Sequence, residues 1–344
     1  MTRYAIEFAD IRAAAERIGS FAHRTPVMTC ATLDALAGRK LFFKCEQWQK
    51  VGAFKFRGAC NAVMKLTGEQ AARGVATHSS GNHAQALALA AKLRGIAAII
   101  VMPSTASPVK RRAVEDYDAV VIECEPTLAA REATLAQVVR KTGTTFIHPY
   151  DHPDVIAGQG TAALELLEDF PTLDAIVAPV GGGGLLAGTC LAAKGVRENI
   201  RILAAEPVGA DDAQRSLAAG KIIPQTGPKT IADGLLTTLG ENTWPIIRDH
   251  VERAITVSDA EIISAMRLAW ERAKLLIEPS AAVALAATFT SEFQSLAGLE
   301  RIGILLSGGN VDLDRLPWMR SKEWTAEGAE VRREEEKKKK KGSI

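Results

Sequence analysis

The chain has 344 residues, 47% of them apolar and 24% charged, and its formal net charge at pH 7 is +2. This length fits roughly two domains at ~150 residues each, and the near-neutral charge gives no reason to expect nucleic acid or a membrane surface as a partner. The charged N-terminal segment is unlike a secretory signal, and no run approaches the ~20 apolar residues of a membrane span. Five cysteines without CxxC spacing predict reduced thiols in a cytoplasmic compartment.

Short apolar runs alternate with helical patterns along the chain, which predicts an α/β fold with mostly parallel sheets. The predicted strands cover residues 40–45, 75–77, 96–102, 119–123, 175–179, 202–205 and 302–306. The predicted helices cover residues 55–66, 83–93, 109–117 and 128–142, with a further helix starting at Leu185.

The way the predicted elements cluster along the chain suggests its domain organisation. Residues 74–150 contain three βα units and are predicted to form a small inserted domain, while residues 1–73 and 151–320 form a large domain. Residues 321–344 are polar, basic and non-periodic, so we predict that they are disordered.

Lys55 is the residue that most narrows the function. It opens a predicted amphipathic helix whose apolar residues recur at helical spacing: Phe56, Ala59, Cys60 and Val63. A cation at a helix N-terminus opposes the helix dipole, and the apolar neighbour Phe54 adds desolvation, so the pKa of this amine should be lowered. A neutral lysine amine is a nucleophile suited to Schiff-base formation. The alternative is a surface lysine whose charged end reaches water.

Three loops follow predicted strands at the edge where open α/β sheets bind ligands. The loop at 79–83 contains small polar residues and directly precedes a predicted helix. It can bind a substrate carboxylate, or its serine can merely cap the helix. Four glycines at 181–184 let backbone N–H groups converge on a single phosphate, although a merely flexible loop is the alternative. After the last strand, Ser307 can hydrogen-bond a ring nitrogen or belong to an ordinary turn.

Two acids follow the strand at 202–205. Glu206 and Asp212, with intervening backbone carbonyls, can hold a hard divalent cation, whereas solvated loop acids are the alternative explanation.

Together these segments resemble the fold-type II pyridoxal phosphate enzymes, in particular the serine racemase and serine/threonine dehydratase family. The similarity runs from about Tyr4 to Asp312 through the motifs GAFKFRGA, THSSGNHAQAL, HPYDHPDVIAGQGT, APVGGGGLLAG, AAEPVGADD, IADG, LLIEPS and LLSGGNVDL. Each motif is moderately specific, but their joint order is highly specific. The resemblance implies two open, twisted, mostly parallel-sheet domains like those of tryptophan synthase β, and a homodimer.

The resemblance also implies a role for each matching residue. Lys55, next to Phe54, would bond covalently to pyridoxal 5′-phosphate, Asn82 would contact its 3′ oxygen, and Ser307 its pyridine nitrogen. The phosphate would lie on a cradle formed by Gly181, Gly182, Gly183, Gly184 and the amide of Leu185.

Two further sites are implied by the racemase branch alone. Glu206, the carbonyl of Ala210 and Asp212 match a Mg²⁺ or Ca²⁺ site. The positions that match an effector site for ATP are Lys50, Tyr117, Arg272, Lys274 and Asn310.

The implied activity is interconversion of L- and D-serine, with β-elimination of serine or threonine to the 2-oxo acid and ammonia. Racemisation needs an acid/base group on each face of the substrate Cα, and Ser80 stands opposite Lys55 where many dehydratases have alanine. The substrate would meet Ser79, Ser80, Asn82, His83 and Arg131.

A dedicated serine/threonine or 3-hydroxyaspartate dehydratase with little racemisation is the alternative, since Arg131 can meet a second carboxylate. Tyr150 departs from the asparagine of the mammalian-like branch. A non-catalytic phosphate-binding module would account for the glycines but not for Lys55 and Ser80.

Overall fold

The computed structural model describes residues 4–106 and 108–319, apart from the side chains of residues 108 and 109. The predicted disordered tail at 321–344 lies outside the described residues. Within them the chain forms two open, largely parallel β-sheets covered by helices, which confirms the predicted α/β class.

The larger sheet has six strands in the order β1-β2-β10-β7-β8-β9, and only β1 runs antiparallel to its neighbour. Its strands are β1 Val27–Met28, β2 Lys40–Cys45, β7 Ala175–Pro179, β8 Arg201–Pro207, β9 Arg253–Val257 and β10 Arg301–Leu306. The smaller sheet is parallel throughout, in the order β5-β4-β3-β6. Its strands are β3 Val75–His78, β4 Ala98–Pro103, β5 Val120–Cys124 and β6 Thr145–Phe146.

Helices cover the sheets and fill the space between their ends. The first seven are α1 Phe8–Ile18, α2 Ala31–Ala37, α3 Lys55–Lys65, α4 Gly68–Arg73, α5 Asn82–Arg94, α6 Pro108–Glu115 and α7 Leu128–Thr142. The others are α8 Pro153–Asp169, α9 Gly184–Val196, α10 Asp212–Ala219, α11 Trp244–His250, α12 Asp259–Leu268, α13 Pro279–Ala287 and α14 Ser291–Gln294.

Burial explains why these segments are strands and helices. Every residue of β7 is buried, as are five of the six residues of β10, because a parallel sheet covered on both faces needs continuous apolar strands. The helix α13 is buried from Ser280 to Ala287, and α8 and α9 are buried over most of their lengths. Nothing among the described helices is long and apolar enough to cross a membrane.

The smaller sheet is built entirely from the segment 74–150 that the sequence predicts to be an inserted domain. By contacts, however, the residues up to Asn310 group into one compact unit, and a second unit starts at Val311. The proposed domain boundaries therefore stay a prediction.

Candidate active site

The order of strands brings three predicted site segments to one edge of the larger sheet. The strands β2, β10 and β7 are direct neighbours and run parallel. The segment after β2 leads to Lys55, Ser307 follows β10, and the four glycines follow β7. The first two segments are joined directly, since the N–H of Phe54 donates to the carbonyl of Ser307 over 3.0 Å. The carboxyl ends of three adjacent strands thus meet, as ligand sites of open α/β sheets require.

The amine of Lys55 is buried at this edge. Its Nζ donates to the carbonyl oxygen of Pro149 over 2.8 Å and lies 5.2 Å from the centroid of the Phe54 ring. Burial lowers the pKa of the Lys55 amine to about 8, against an opposing effect of the Glu278 carboxylate. The amine is therefore close to the balance between its charged and nucleophilic forms near neutral pH.

The glycine loop is shaped by close contacts that no larger residue could make. A Cβ atom on Gly182 would lie 2.2 Å from the ring of Tyr150, and one on Gly184 would lie 2.8 Å from its carbonyl oxygen. Gly183 has a φ of 89° and directly precedes α9, whose N-terminus has no side-chain cap. The first N–H groups of a helix lack intrahelical acceptors and attract anions. The loop therefore fits a phosphate group, and with Lys55 and Ser307 it fits pyridoxal phosphate.

A fourth segment comes from the smaller sheet. The loop after β3 holds Ser79 and Ser80, with the N–H of Gly81 donating to the Ser79 hydroxyl over 3.3 Å. Asn82 begins α5, and its Nδ2 donates to the carboxylate of Glu278 over 2.9 Å. This contact joins the loop that carries Ser80 to the larger sheet.

Glu278 is a residue of the site to which the sequence patterns assign no role. It is 5% exposed and accepts hydrogen bonds from the side chain of Asn82 and the N–H of Asn310. Burial raises the pKa of its carboxyl group to about 7, and the charge of Asp233 adds to that effect. The one available signal is its place in LLIEPS, an acid directly before the proline that starts α13.

His83 does not present its side chain to the loop, contrary to the predicted substrate contact. The ring is 2% exposed and its Nε2 lies 3.2 Å from the carbonyl oxygen of Ile147. Burial lowers the pKa of this imidazole well below its usual value, so it remains neutral within the smaller sheet's core. Helical periodicity explains the difference, because position 83 faces inward on α5.

Arg131 is a predicted substrate contact, and Tyr150 is a departure from the related enzymes. Arg131 lies in the first turn of α7. Burial lowers the pKa of His78, which directly precedes Ser79, and the charge of Arg131 adds to that effect. The Nε of Arg131 is buried and has no hydrogen-bond partner among the described residues. Tyr150 packs on Gly182, while its own N–H donates to Nδ1 of His148.

The predicted cation ligands lie at the end of the neighbouring strand β8. Glu206 is 1% exposed and Asp212 is 2% exposed. Burial raises the pKa of Glu206 to about 8 and that of Asp212 to about 6. Glu206 accepts hydrogen bonds from the N–H groups of Ala213 and Gln214. Within the described residues no group of three His, Cys, Asp or Glu side chains could hold a metal ion, so a cation here would need the backbone carbonyl of Ala210 as well.

The predicted effector residues are not all free to receive a ligand. The side-chain amide of Asn310 donates to Val51 O over 2.7 Å and to Asn82 Oδ1 over 2.9 Å. Lys50 lies 5.6 Å from the Phe56 ring centroid, and Lys274 donates to the carbonyl of Glu271. Tyr117 packs on the apolar core beside the smaller sheet, whereas Arg272 is exposed.

Comparison with known proteins agrees with this geometry. The sequence matches the family described as pyridoxal-phosphate dependent enzymes over residues 18–308. A serine racemase of Dictyostelium discoideum is 50% identical, with the alignment covering 90% of this chain and 97% of the relative. A beta-hydroxyaspartate dehydratase of Paracoccus denitrificans is 52% identical over 92% of this chain and 99% of the relative. The solved structure of maize serine racemase superposes with a TM-score of 0.90 at 47% identity, covering 96% of this chain and all of that one. The chain belongs to the pyridoxal-phosphate-dependent enzyme family.

Proposed function

We propose that this enzyme interconverts L- and D-serine and also eliminates the β-hydroxyl group of serine or threonine to give the 2-oxo acid and ammonia. The observation that carries the proposal is the buried Lys55 amine, which lies at the strand edge shared with Ser307 and the glycine loop. The high identity to serine racemases over most of the chain supports it.

The proposed chemistry divides the work between the cofactor and the protein. Bound pyridoxal phosphate supplies an electron sink for negative charge at the substrate Cα. The glycine loop holds the phosphate, and Ser307 accepts or donates a neutral hydrogen bond at the pyridine nitrogen without forcing that nitrogen to carry a proton.

Two side chains move the proton at the substrate Cα. Lys55 removes or returns it on one face, for which an amine with a pKa of about 8 is well matched to neutral pH. The hydroxyl of Ser80 does the same on the other face, while Ser79, Asn82 and the start of α5 hold the substrate carboxylate. If the β-hydroxyl leaves before a proton returns, elimination replaces racemisation.

A second candidate function is 3-hydroxyaspartate dehydration with little racemisation. It is favoured by the buried, unpartnered Nε of Arg131, which would meet a second substrate carboxylate. The Paracoccus relative supports it as well, because its 52% identity to this chain is similar to the 50% identity of the Dictyostelium serine racemase.

A substrate panel tests the two functions against each other. We expect kcat/KM for racemisation of L- and D-serine to be measurable alongside elimination from L-serine. A chain that acts on 3-hydroxyaspartate and threonine but leaves the configuration of serine unchanged would support the second function. Borohydride reduction of the holoenzyme followed by peptide mapping tests the cofactor role, and a label at any residue other than Lys55 would refute it.

The remaining features of the proposal rest on the resemblance. Glu206, the Ala210 carbonyl and Asp212 would hold Mg²⁺ or Ca²⁺, whose charge would balance two buried carboxylates. ATP would act as an effector near Lys50 and Asn310. We also propose that the protein is a homodimer in the cytoplasm. Its five free cysteines support that compartment, because disulfides are rare there.

A further inference from the structure

A buried cluster of four charged side chains lies beside the start of α3, two residues beyond Lys55. Its members are Arg57 and Lys44, which are cations, and Glu46 and Glu165, which are anions. The side chains of Arg57, Lys44 and Glu46 are 0% exposed and that of Glu165 is 16% exposed. Two positive and two negative charges cancel, which is the condition under which a protein interior holds ions.

Arg57 is the centre of the cluster because it contacts both carboxylates with two hydrogen bonds each. Its Nε and Nη2 donate to Glu46 over 2.7 and 2.8 Å, and its Nη1 and Nη2 donate to Glu165 over 2.7 and 2.8 Å. Lys44 donates to Glu165 over 2.6 Å. Only a planar guanidinium can serve two carboxylates in this way, so lysine could not replace Arg57 without loss.

These contacts fix the start of α3 to two other elements. Glu46 directly follows β2, and Glu165 lies on α8. The backbones of α3 and α8 also touch, because a Cβ atom on Gly158 would lie 2.6 Å from the Cα of Gly58 and from the carbonyl oxygen of Arg57. The first turn of α3, which carries Lys55, therefore has little freedom to move along α8.

The same helix α8 supports the glycine loop. On its opposite side, a Cβ atom on Gly160 would lie 2.8 Å from the carbonyl oxygen of Gly188, and one on Gly188 would lie 2.6 Å from the N of Gly160. Gly188 belongs to α9, which begins with the glycine loop. One helix is thus the common support for α3 and α9, both of which start at the active site.

We propose that Arg57 is a positioning residue. Its paired contacts with Glu46 and Glu165 hold α3 against the end of β2 and against α8. They thereby set the distance between the Lys55 amine and the glycine loop, so that one cofactor molecule can place its aldehyde at the amine and its phosphate in the loop. This proposal rests on the proposed function, in which Lys55 bonds to that aldehyde.

The test compares the affinity of the Arg57→Lys variant for two ligands, and so separates a positioning role from a general loss of stability. Pyridoxal phosphate needs both Lys55 and the glycine loop, whereas pyridoxine 5′-phosphate has no aldehyde and needs only the loop and the ring contacts. We expect the variant to bind pyridoxal phosphate more weakly and to give less borohydride label at Lys55, while its Kd for pyridoxine phosphate stays within about twofold. The kcat of the reconstituted holoenzyme should fall on the order of 100-fold, as for a misplacement of about 1 Å, with little change in KM.

A second variant and a matched control complete the design. Glu165→Gln removes one carboxylate and should also weaken pyridoxal phosphate binding while leaving pyridoxine phosphate binding within about twofold. This variant keeps the proposal testable if Arg57→Lys does not fold. Glu168→Gln is the control, since Glu168 lies on the same helix but forms an exposed ion pair with Arg24. It should leave every quantity unchanged.

Two outcomes overturn the proposal. Equal weakening of both ligands, or a lower melting temperature with normal label and kcat, would mean that the cluster only stabilises the fold. Failure of the proposed function looks different, because then the wild-type protein itself would give no borohydride label at Lys55.

Discussion

At the level of single residues, burial governs the chemistry of Lys55. The sequence predicts a lowered pKa from the helix dipole and the apolar neighbour Phe54, and the direction is confirmed. The largest cause in the structure is burial, and the amine lies 5.2 Å from the centroid of the Phe54 ring. Neighbours along the chain indicated the direction of the pKa shift but not its main cause.

Contacts between distant residues could not be predicted in the same way. Glu278 meets Asn82 and the N–H of Asn310, and Tyr150 packs against Gly182. Neither contact leaves a periodic or spacing signal, because each depends on how two separate strand–loop segments come together. Sequence patterns therefore identified the loops of the site but not the side-chain contacts that connect one loop to another.

Ser80→Ala should separate the two proposed reactions. Without the hydroxyl group one face of the substrate Cα has no acid/base group, so racemisation of serine should fall by about 100-fold or more, as for loss of a general acid–base group. Elimination from L-serine needs only Lys55 at Cα and should largely survive. Parallel assays of D-serine and pyruvate formation by one preparation provide the measurement, and an equal loss of both activities would contradict the assignment of two faces.

Glu278→Gln should change how stability depends on pH. The carboxyl pKa of Glu278 is raised from 4.5 to about 7 in the fold, so the native state holds a proton that the unfolded chain has released. Stability conferred by the protonated form is present below pH 4.5 and is lost as the pH rises through about 7. The loss is on the order of 3 kcal/mol at most.

Urea unfolding of the apoprotein between pH 5 and pH 8 measures this loss. We expect a shallower pH dependence for Glu278→Gln than for the wild type. Glu300→Gln, a change at an exposed residue, is the control and should follow the wild-type curve. Parallel curves for all three proteins would show that Glu278 does not titrate as described.

At the level of elements, some predicted segments agree closely with the structure, whereas other helices and strands were not predicted. The predicted helix at 128–142 and strand at 175–179 match α7 and β7 residue for residue. By contrast, β1 and β6 have two residues each and carry no detectable pattern. The helix α8 was not among the predicted helices. It contains two glycines, which disfavour helices locally but allow the backbones of α3 and α9 to touch it.

Gly183→Ala should weaken cofactor binding because of its place in the glycine loop. Its φ is 89°, and a Cβ atom would lie 2.6 Å from Ile247 Cδ1 and 2.7 Å from Thr243 Oγ1. The loop would have to shift, which would misdirect the N–H groups at the start of α9. Titration of the apoprotein with pyridoxal phosphate should show a loss of affinity of at least tenfold, equivalent to about 1.4 kcal/mol.

Gly220→Ala is the matched control for this change. Gly220 also has a left-handed φ, of 68°, but no atom lies within 4 Å of a Cβ placed there. Its replacement should cost about 1–2 kcal/mol of stability and leave cofactor affinity unchanged. Equal losses of affinity in the two variants would show that backbone strain, not the shape of the loop, limits binding.

At the level of the whole molecule, the site exists because strands from distant parts of the chain are neighbours. The strand β10 lies between β2 and β7, so the last described strand places Ser307 between Lys55 and the glycine loop. Asn82, at the start of α5, then reaches Glu278, and Lys110 of α6 pairs with Asp233 over 2.9 Å. Local patterns predict strands and helices but not this order, which depends on the packing of the complete core.

A divalent cation should stabilise the folded enzyme through the end of β8. Glu206 and Asp212 are almost fully buried, and neither forms an ion pair within the part of the chain that the structure describes. A cation that binds only the native state at 100 times its Kd contributes about 2.7 kcal/mol. Chelation should therefore lower the melting temperature of the wild type, and Mg²⁺ or Ca²⁺ should restore it.

Replacement of one ligand should remove this response without removing the fold. Glu206→Gln takes away one of the two buried charges that a cation would balance, so its melting temperature should be the same with chelator and with Mg²⁺. Asp211→Asn is the neighbouring control, because Asp211 is half-exposed and already paired with Arg215 over 2.7 Å, and it should keep the wild-type response. A wild-type protein indifferent to chelation, or a Glu206→Gln variant that still responds, would contradict a cation site at these two carboxylates.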